Sequence, residues 1–281
     1  MLDYCRIQFE DVTITPFILG DYDQKPLLDS ISMTVMQGEW VTIIGSNGSG
    51  KSTLLKAMAG LLRQEIKGKI VRNKGELTEA PTPIVMQQPD AGIIGSTAWE
   101  DIVIMMERHG IEGELIQRKV EEALLAVGLK DKEKEPIDSL SGGQKQLVAI
   151  AGCLAIDAQM LLLDEVTAML DPIMSLYVLE KVRELHQSGA SIIWITQKLD
   201  ELEQNDRVIV LDEGKIVYDG SAAKMFQRST AGKSDSVCER YFLEAPYAVQ
   251  VAWELEKEGI YLSPIPLKAE QLAEAVIRYG C

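Results

Sequence analysis

The segment GSNGSGKST, Gly45 to Thr53, has the residue types and spacing of a loop that binds phosphate. It matches G-x-x-x-x-G-K-[ST], follows the apolar run WVTII and precedes the helical pattern TLLKAMAGLL. In this context the motif is specific, which disfavours the alternative, a glycine-rich turn with an incidental lysine. The predicted loop comprises Gly45, Ser46, Asn47, Gly48, Ser49, Gly50, Lys51, Ser52 and Thr53.

Each part of this loop has a predicted task. The backbone N–H groups would close around phosphate oxygens at the positive end of the following helix. Lys51 would reach the β- and γ-phosphates. Ser52 would offer its hydroxyl to Mg²⁺, a hard cation that prefers oxygen ligands.

The segment LLLDE ends a second apolar run in two carboxylates, Asp164 and Glu165. Adjacent acids at the end of a buried strand are costly unless a cation or a reaction requires them. Beside a phosphate-binding loop, Asp164 would support Mg²⁺ through water, and Glu165 would be the general base for the attacking water. The alternative is a strand that simply emerges into solvent.

The segment LSGGQKQLVAIAGCLA, Leu140 to Ala155, predicts a second helix start that can bind an anion. Ser141 followed by Gln144 is a capping-box pattern before an apolar helix. Gly142 and Gly143 would leave the first N–H groups of that helix uncovered. As a cap alone, the pattern would be common.

Apolar strand-like runs alternate with helix-like patterns, which predicts parallel strands in a layered α/β fold. The runs are Trp40 to Gly45, Pro83 to Gln88, Met160 to Glu165 and Ser191 to Thr196. Arg207 to Gly220 is predicted to form a hairpin that turns at Asp212, Glu213 and Gly214. Residues 97–155 are mostly helical in pattern, and two amphipathic helices are predicted at residues 245–262 and 268–280 after a polar linker.

Composition limits the classes of protein. The chain has 281 residues and a formal net charge of −15, which argues against nucleic acid or an anionic membrane as the main partner. No apolar run approaches the roughly 18 residues of a membrane-spanning helix, and the start MLDYCRIQFE does not resemble a signal peptide. The scattered Cys5, Cys153, Cys238 and Cys281 fit no zinc or redox motif, so ordinary thiols in a reducing cytoplasm are predicted.

The segments GSNGSGKST, LSGGQKQ, LLLDE and TAMLDP, in this order and spacing, resemble the nucleotide-binding subunit of ABC transporters over roughly residues 6–225. In that family two such domains stack head to tail. The resemblance implies that Ser141 to Gln144 serve the ATP held by the opposite chain, with Ser141 and Gly143 on its γ-phosphate. It also implies that Asp171 lies at the dimer seam, and that Gln87 senses Mg²⁺ and water and faces the membrane subunit.

A narrower resemblance rests on QQPD, TAMLDP and the tail APYAVQVAWELEKEGIYLSPIPLKAEQLAEAV. These segments are similar to the ATPases of energy-coupling-factor importers, which take up vitamins or transition-metal ions. For the tail, the alternative is a generic helical extension. Two other classes stay open: the ATPase of a conventional ABC transporter, and a soluble, non-transport ABC protein. The second is disfavoured by the single cassette, the lack of a coiled-coil insertion and the acidity.

The chain departs from the family pattern at two positions. The family usually has a histidine on the γ-phosphate where this chain has Gln197, which can donate an N–H but cannot become a cation or pass a proton. We therefore expect slow hydrolysis at this chain's own site; adequate substitution by Gln197 is the alternative. The family also usually stacks an aromatic ring on adenine shortly after the first strand. Here Pro16 stands near that position, and of the nearest rings Phe17 is favoured over Tyr22.

The predicted architecture is an α/β P-loop NTPase of ABC type with a mixed sheet. It would comprise a nucleotide-binding domain at residues 1–225, a helical subdomain at about 90–155 and a helical extension at 226–281. The resemblance implies ATP and Mg²⁺ as cofactors and a second ABC ATPase chain, the same or different, as partner. It also implies a polytopic membrane subunit that meets the apolar Ile93, Ile94 and Trp99, at the cytoplasmic face of the cell membrane.

Overall fold

The computed structural model describes residues 5–16, 25–62, 64–72, 82–88, 90, 92–111, 113–158, 160–228 and 235–279. The strands are β1 (Cys5–Thr15), β2 (Leu28–Met36), β3 (Trp40–Ile44), β4 (Glu65–Arg72), β5 (Ile84–Val85), β6 (Met160–Asp164), β7 (Ser191–Ile195), β8 (Arg207–Asp212) and β9 (Lys215–Ser221). The helices are α1 (Lys51–Ala59), α2 (Ala98–Arg108), α3 (Leu115–Ala126), α4 (Gly142–Ala155), α5 (Pro172–Gln187), α6 (Ala222–Phe226), α7 (Val237–Arg240), α8 (Tyr247–Lys257) and α9 (Ala269–Tyr279). Within these ranges no helix is long and apolar enough to cross a membrane.

The chain divides into two compact units, Met1–Trp40 with Ser52–Thr196, and Val41–Lys51 with Gln197–Cys281. In the first unit, β2, β1 and β4 form an antiparallel sheet in that order. The sequence analysis did not predict this sheet. The reason is physical: the pairing of β1 shifts register at several points, and most of β4 is exposed, so neither strand shows a regular alternation.

The first unit also contains three parallel strands in the order β5, β6, β7. All of β7 and all of β6 except Asp164 are buried, which explains why these strands are continuous apolar runs. Both strands were predicted, and the structure confirms them. β5 is shorter than predicted, since only Ile84 and Val85 pair with β6.

The helices α2, α3, α4 and α5 of the first unit surround one hydrophobic core, and α2 to α4 confirm the helical pattern predicted from residue 97 to 155. Ile102 and Met106 on α2 are fully buried there, together with Leu147 on α4. Two tryptophans of this core pack against each other: Trp40 stacks on Trp194 with ring centroids 5.6 Å apart.

In the second unit, β3 pairs with β8 in parallel and β8 pairs with β9 in antiparallel, which confirms the predicted hairpin. One hydrophobic cluster joins β8 to the C-terminal helices: Val208 and Val210 pack with Phe226, Val249 and Trp253. The predicted helices of the tail are present as α8 and α9. The short α6 and α7 were missed, because four or five residues are too few to show a helical period.

Candidate functional site

The predicted phosphate-binding loop lies between β3 and α1. The five residues of β3 are buried, so the loop leaves a fixed strand. At Gly45, φ is 153°, and a Cβ atom would lie 2.2 Å from the carbonyl oxygen of Leu211 on β8. Only glycine allows the backbone to turn this close to its neighbour. The N–H of Gly214 donates to the carbonyl of Ser49 at 3.0 Å, so the β8–β9 turn supports the loop from outside.

The side chain of Lys51 lies against this loop. Its side chain is only 6% exposed, and Nζ donates to the carbonyl oxygens of Gly45 at 2.7 Å and Ser46 at 3.0 Å. These two carbonyls hold the ammonium at the loop, where its positive charge can interact with an anion. The hydroxyl of Ser49 is buried and has no hydrogen-bond partner among the described residues. Such atoms are uncommon in native proteins, and a ligand can satisfy them.

Helix α1 begins at Lys51 and has no acidic residue in its first turn. Its N-terminal N–H groups and partial positive charge are therefore not compensated by a carboxylate within the helix. Ser52 is exposed and Thr53 is half-buried in this turn. The geometry is that of an anion-binding helix start.

The carboxylates predicted to act on a metal ion and water end strand β6. Asp164 is the last residue of the strand and is half-buried. Glu165 follows with φ of 50°, and its N–H donates to the carbonyl of Ile195 at 3.0 Å. A left-handed conformation at a residue other than glycine costs about 1–3 kcal/mol, and such residues concentrate at active sites.

The second helix start confirms the predicted capping box. The hydroxyl of Ser141 accepts from the N–H of Gln144 at 3.3 Å, and Oε1 of Gln144 accepts from the N–H of Ser141 at 2.9 Å. Ser141 and Gly142 are exposed, whereas Gly143 is buried against α5. A Cβ atom at Gly143 would lie 2.5 Å from Cε and 3.2 Å from Cβ of Met174. Close helix packing is therefore one reason for a glycine at this position.

Asp171 caps the following helix. Its Oδ1 accepts from the N–H groups of Ile173 and Met174, both at 3.0 Å, so the side chain holds the start of α5. The surface beside it is apolar: Met169, Ile173 and Leu176 are 65%, 79% and 61% exposed. Exposed large apolar side chains of this kind are typical of a protein interface.

Gln197 contacts the phosphate-binding loop directly. Its Nε2 donates to Oδ1 of Asn47 at 3.0 Å, and both side chains are exposed. The amide that the sequence analysis placed at a γ-phosphate therefore lies beside the loop that would hold that phosphate. A neutral amide can donate to a phosphate oxygen, but it cannot carry the charge of an imidazolium.

Gln87 is exposed just after β5. In the apolar segment that follows, Ile94 is 56% exposed, whereas Ile93 and Trp99 pack partly against the core of the first unit. Asp101, which the sequence analysis missed, shapes this segment: its Oδ1 accepts from the N–H groups of Ile94 at 2.7 Å and Gly95 at 3.0 Å. The sequence signal for these contacts is an aspartate shortly after a glycine–serine–threonine run.

A divalent cation is implied by the resemblance, and the residues present fit one. Ser52, Asp164 and Gln87 offer hydroxyl, carboxylate and amide oxygens, the ligands that Mg²⁺ prefers. Among the described residues no group of three or more His, Cys, Asp or Glu could hold a metal by itself. Mg²⁺ usually binds through few protein ligands, with water and phosphate completing its shell.

The two cysteines whose side chains the structure describes, Cys153 and Cys238, are buried free thiols. Burial raises the pKa of the Cys153 and Cys238 thiols to about 12, so both stay protonated at neutral pH. The side chain of Cys5, and Cys281, lie outside the described part of the chain. Phe17 and Tyr22, the two candidates for stacking on adenine, also lie outside it, and Pro16 is the last described residue before them.

Comparison with known proteins identifies relatives over nearly the whole chain. A family model described as ABC transporter matches residues 28–168. The energy-coupling factor transporter ATP-binding protein EcfA1 of Halalkalibacterium halodurans is 37% identical over 266 residues, which cover 92% of this chain and 94% of the relative. The protein of the same name from Clostridium perfringens is 34% identical over 278 residues, 96% of this chain and 97% of the relative. Among solved structures, cbiO1 from Clostridium perfringens, part of the ABC transporter complex cbiONQ, has a TM-score of 0.68 and 26% identity, and the match covers 89% of this chain and 99% of that chain.

Proposed function

Since the chain belongs to the ABC transporter family and, within it, to the energy-coupling factor transporter ATP-binding proteins, we propose that it binds and hydrolyses MgATP to energise a membrane importer of a vitamin or a transition-metal ion. One observation carries the proposal: the loop from Gly45 to Lys51 presents a nearly buried ammonium and an uncompensated helix start at the end of a buried strand. This combination recognises the triphosphate of a nucleotide.

The chain's own residues divide the work. The loop binds the phosphates through its backbone and Lys51, while Ser52, Asp164 and Gln87 would hold Mg²⁺. The bound cation would supply positive charge to the β- and γ-phosphate oxygens. Glu165 would accept a proton from the attacking water. Gln197 would donate an N–H to the γ-phosphate, and a ring after β1, with Phe17 as the candidate, would stack on the base.

Hydrolysis would take place in a head-to-tail dimer with a second ABC ATPase chain. Ser141, Gly142, Gly143 and Gln144 would close on the nucleotide of the opposite chain, and Asp171 with its apolar neighbours would lie at the seam. The exposure of Met169, Ile173 and Leu176 supports this assignment, because a dimer would cover them.

The assignment to an importer rests on the part of the chain outside residues 28–168. The matches to the curated relatives extend well beyond residues 28–168 and so include most of the C-terminal tail, which favours the energy-coupling factor group over a conventional ABC transporter. We keep the division into a nucleotide-binding domain at 1–225, with its helical part at about 90–155, and an extension at 226–281. The chain would act as a peripheral subunit at the cytoplasmic face, with Ile94 and its neighbours against a membrane subunit that contacts the solute.

A nucleotide titration tests the proposal. In the full-length chain, Lys51→Ala is expected to lower the affinity for MgATP by roughly 10- to 100-fold or more, because it removes charge-assisted hydrogen bonds to phosphate. Lys56→Ala is the matched control, since Lys56 is an exposed lysine in the last turn of the same helix. Binding of a fluorescent ATP analogue measures both. Equal affinity of the wild type and Lys51→Ala would refute the assignment of this loop.

A further inference from the structure

The two residues that follow the signature segment, defined as Ser141 to Gln144, hold the backbone that carries Gln87. Nε2 of Gln146 donates to the carbonyl oxygens of Met86 and Gln87, both at 3.0 Å. Nζ of Lys145 donates to Oδ1 of Asp90 at 2.6 Å. One turn of α4 therefore holds the segment after β5 at two points.

The burial of these side chains indicates that the contacts are strong. Gln146 is fully buried, and the side chain of Lys145 is only 14% exposed. Oε1 of Gln146 is buried and has no partner among the described residues. An unsatisfied buried acceptor costs about 1–3 kcal/mol, which an apolar side chain at the same position would avoid. The amide is therefore useful through its Nε2 atom, which donates to two consecutive carbonyls.

The position of these contacts connects two parts of the proposed site. The signature segment begins α4 and would meet the nucleotide of the opposite chain. Gln87 follows β5, which pairs with β6, the strand that ends in Asp164. Lys145 and Gln146 lie within the first two turns of α4, so the residues that contact the Gln87 backbone and Asp90 come directly after the signature segment.

We propose that Lys145 and Gln146 are positioning residues that join the signature segment and the Gln87 segment into one moving part. This inference rests on the proposed function for its consequence, which is that closure of the signature segment on one nucleotide sets the position of Gln87 at the other. The hydrogen bonds from Lys145 and Gln146 to the Gln87 segment, called the joint below, are present in the free chain and can be tested without nucleotide.

The same helix offers a matched control for the ion pair. At the C-terminal end of α4, Lys119 of α3 pairs with Asp157 and also donates to the carbonyl of Ala155 at 3.4 Å. The side chains of this pair are 17% and 61% exposed, against 14% and 72% for Lys145 and Asp90. Both pairs tie α4 to a neighbour with similar burial, but only one of them touches the Gln87 segment.

Hydrogen–deuterium exchange of the nucleotide-free, full-length chain tests the joint. Lys145→Glu and Asp90→Lys should each speed amide exchange in residues 82–88 by about twofold to fivefold, the range for a partly exposed ion pair, and the double charge reversal should restore the wild-type rate. Gln146→Leu should speed it by about tenfold or more, since two carbonyls lose their donor. Lys119→Glu should leave this region unchanged. Wild-type exchange in all the Lys145, Asp90 and Gln146 variants would overturn the joint.

Steady-state ATPase measurements test the consequence, in the assembly in which the wild-type chain hydrolyses ATP. A displaced catalytic group can cost up to ~10²-fold in rate, so Lys145→Glu should lower kcat by about tenfold while KM for ATP stays within about twofold. The double reversal should restore kcat, and Lys119→Glu should not change it. An unchanged kcat beside faster exchange would overturn the positioning role. Absence of hydrolysis by the wild type in every assembly would refute the proposed function instead, while the exchange data still decide whether the joint exists.

Discussion

At the level of single residues, the site is defined by what each polar group already contacts in the free chain. Lys51 rests on two carbonyls of its own loop, and Gln197 rests on Asn47 of the same loop. Both contacts are made to oxygen atoms of that loop. The two side chains differ in chemistry: Lys51 brings a full charge, whereas Gln197 brings only the dipole of an amide.

The first prediction at this scale concerns Gln197. We expect Gln197→His to raise the ATPase rate of the dimer by about tenfold or more, because acid–base assistance is typically worth ~10²–10⁴-fold. The wild-type chain must first be shown by size exclusion to dimerise with MgATP. A steady-state phosphate-release assay then gives the rate.

Glu165 provides the control for this measurement. The gain from Gln197→His should vanish in the Glu165→Gln background, since the proton acceptor is then missing whatever stands at position 197. If the dimerising wild type is already fast and Gln197→His has no effect, Gln197 is an adequate substitute and gives no reason to expect a dimer of two different chains. If the gain occurs, a partner chain that keeps a histidine would perform most of the hydrolysis in a mixed dimer.

At the level of elements, two helix starts in the first unit pack against each other. α4 begins with the capping box of Ser141 and Gln144, and α5 begins with the cap of Asp171. Gly143 lies where α5 approaches, with Met174 against it. The signature segment is therefore held from two sides, by Met174 on α5 and, through Lys145 and Gln146, by the Gln87 segment.

The packing at Gly143 leads to a stability prediction. Gly143→Ala would gain up to about 1 kcal/mol in helix propensity, but its Cβ would overlap Met174, and overpacking typically costs about 1–3 kcal/mol. We expect a net loss of about 1 kcal/mol in the free energy of unfolding, measured by urea denaturation. Gly142→Ala is the control, since its Cβ would meet only Leu170 at 3.4 Å and should be near neutral.

A second variant separates packing from other causes. In a Met174→Ala background the 2.5 Å contact with Cε is gone and only the 3.2 Å contact with Cβ remains, so most of the loss caused by Gly143→Ala should disappear. An equal loss in both backgrounds would show that Met174 is not the reason for the glycine.

At the level of the whole molecule, each of the two units has its own core. In the second unit the tail is not an appendage, because Val249 and Trp253 of α8 share one cluster with β8. Arg228 joins the elements of this tail. Its guanidinium pairs with Glu239 of α7 and lies 3.6 Å from Glu256 of α8, and it stacks 4.7 Å from the ring centroid of Trp253.

This arrangement predicts a pH dependence of stability. The hydrogen bonds from Arg228, together with those from Ser236, lower the pKa of Glu239 from 4.5 to about 2. A carboxyl group with a lowered pKa in the folded state stabilises the protein above its ordinary pKa and loses that contribution as the pH falls toward the folded value. Arg228→Met should therefore lower the free energy of unfolding by about 1–3 kcal/mol at pH 7, and the difference from wild type should shrink as the pH falls from 4.5 toward 3.

Urea denaturation at pH 7, 5, 4 and 3 measures this difference. Lys257→Met on α8 is the control. The side chains of Lys257 and of its partner Glu254 are 59% and 70% exposed, so this pair should contribute less than about 1 kcal/mol at any pH. A difference for Arg228→Met that stays constant down to pH 3 would mean that its stacking on Trp253, and not the charge on Glu239, holds the tail.

Much of this architecture could be predicted where the local pattern is strong. The buried strands β3, β6 and β7 are uninterrupted apolar runs, and the capping box of Ser141 is a short-range hydrogen-bond pattern. The fold class and family predicted from these motifs are confirmed by the relatives and the solved neighbour. The sheet of β1, β2 and β4 was missed: buried residues alternate in β2 and in parts of β1, but the bulges of β1 interrupt the pattern and most of β4 is exposed.

The amino-acid sequence alone predicts the chemical groups of the proposed site: a glycine-rich loop with Lys51, the two acids at the end of β6, the signature segment, and a glutamine where the family has a histidine. These follow from residue type and spacing, which act within a few residues of chain. Only the tertiary structure decided what each group touches. The bond from Gln197 to Asn47 spans 150 positions, and Gln146 reaches carbonyls about 60 positions away. Such contacts depend on how strands and helices pack, and no local pattern in the sequence encodes that packing.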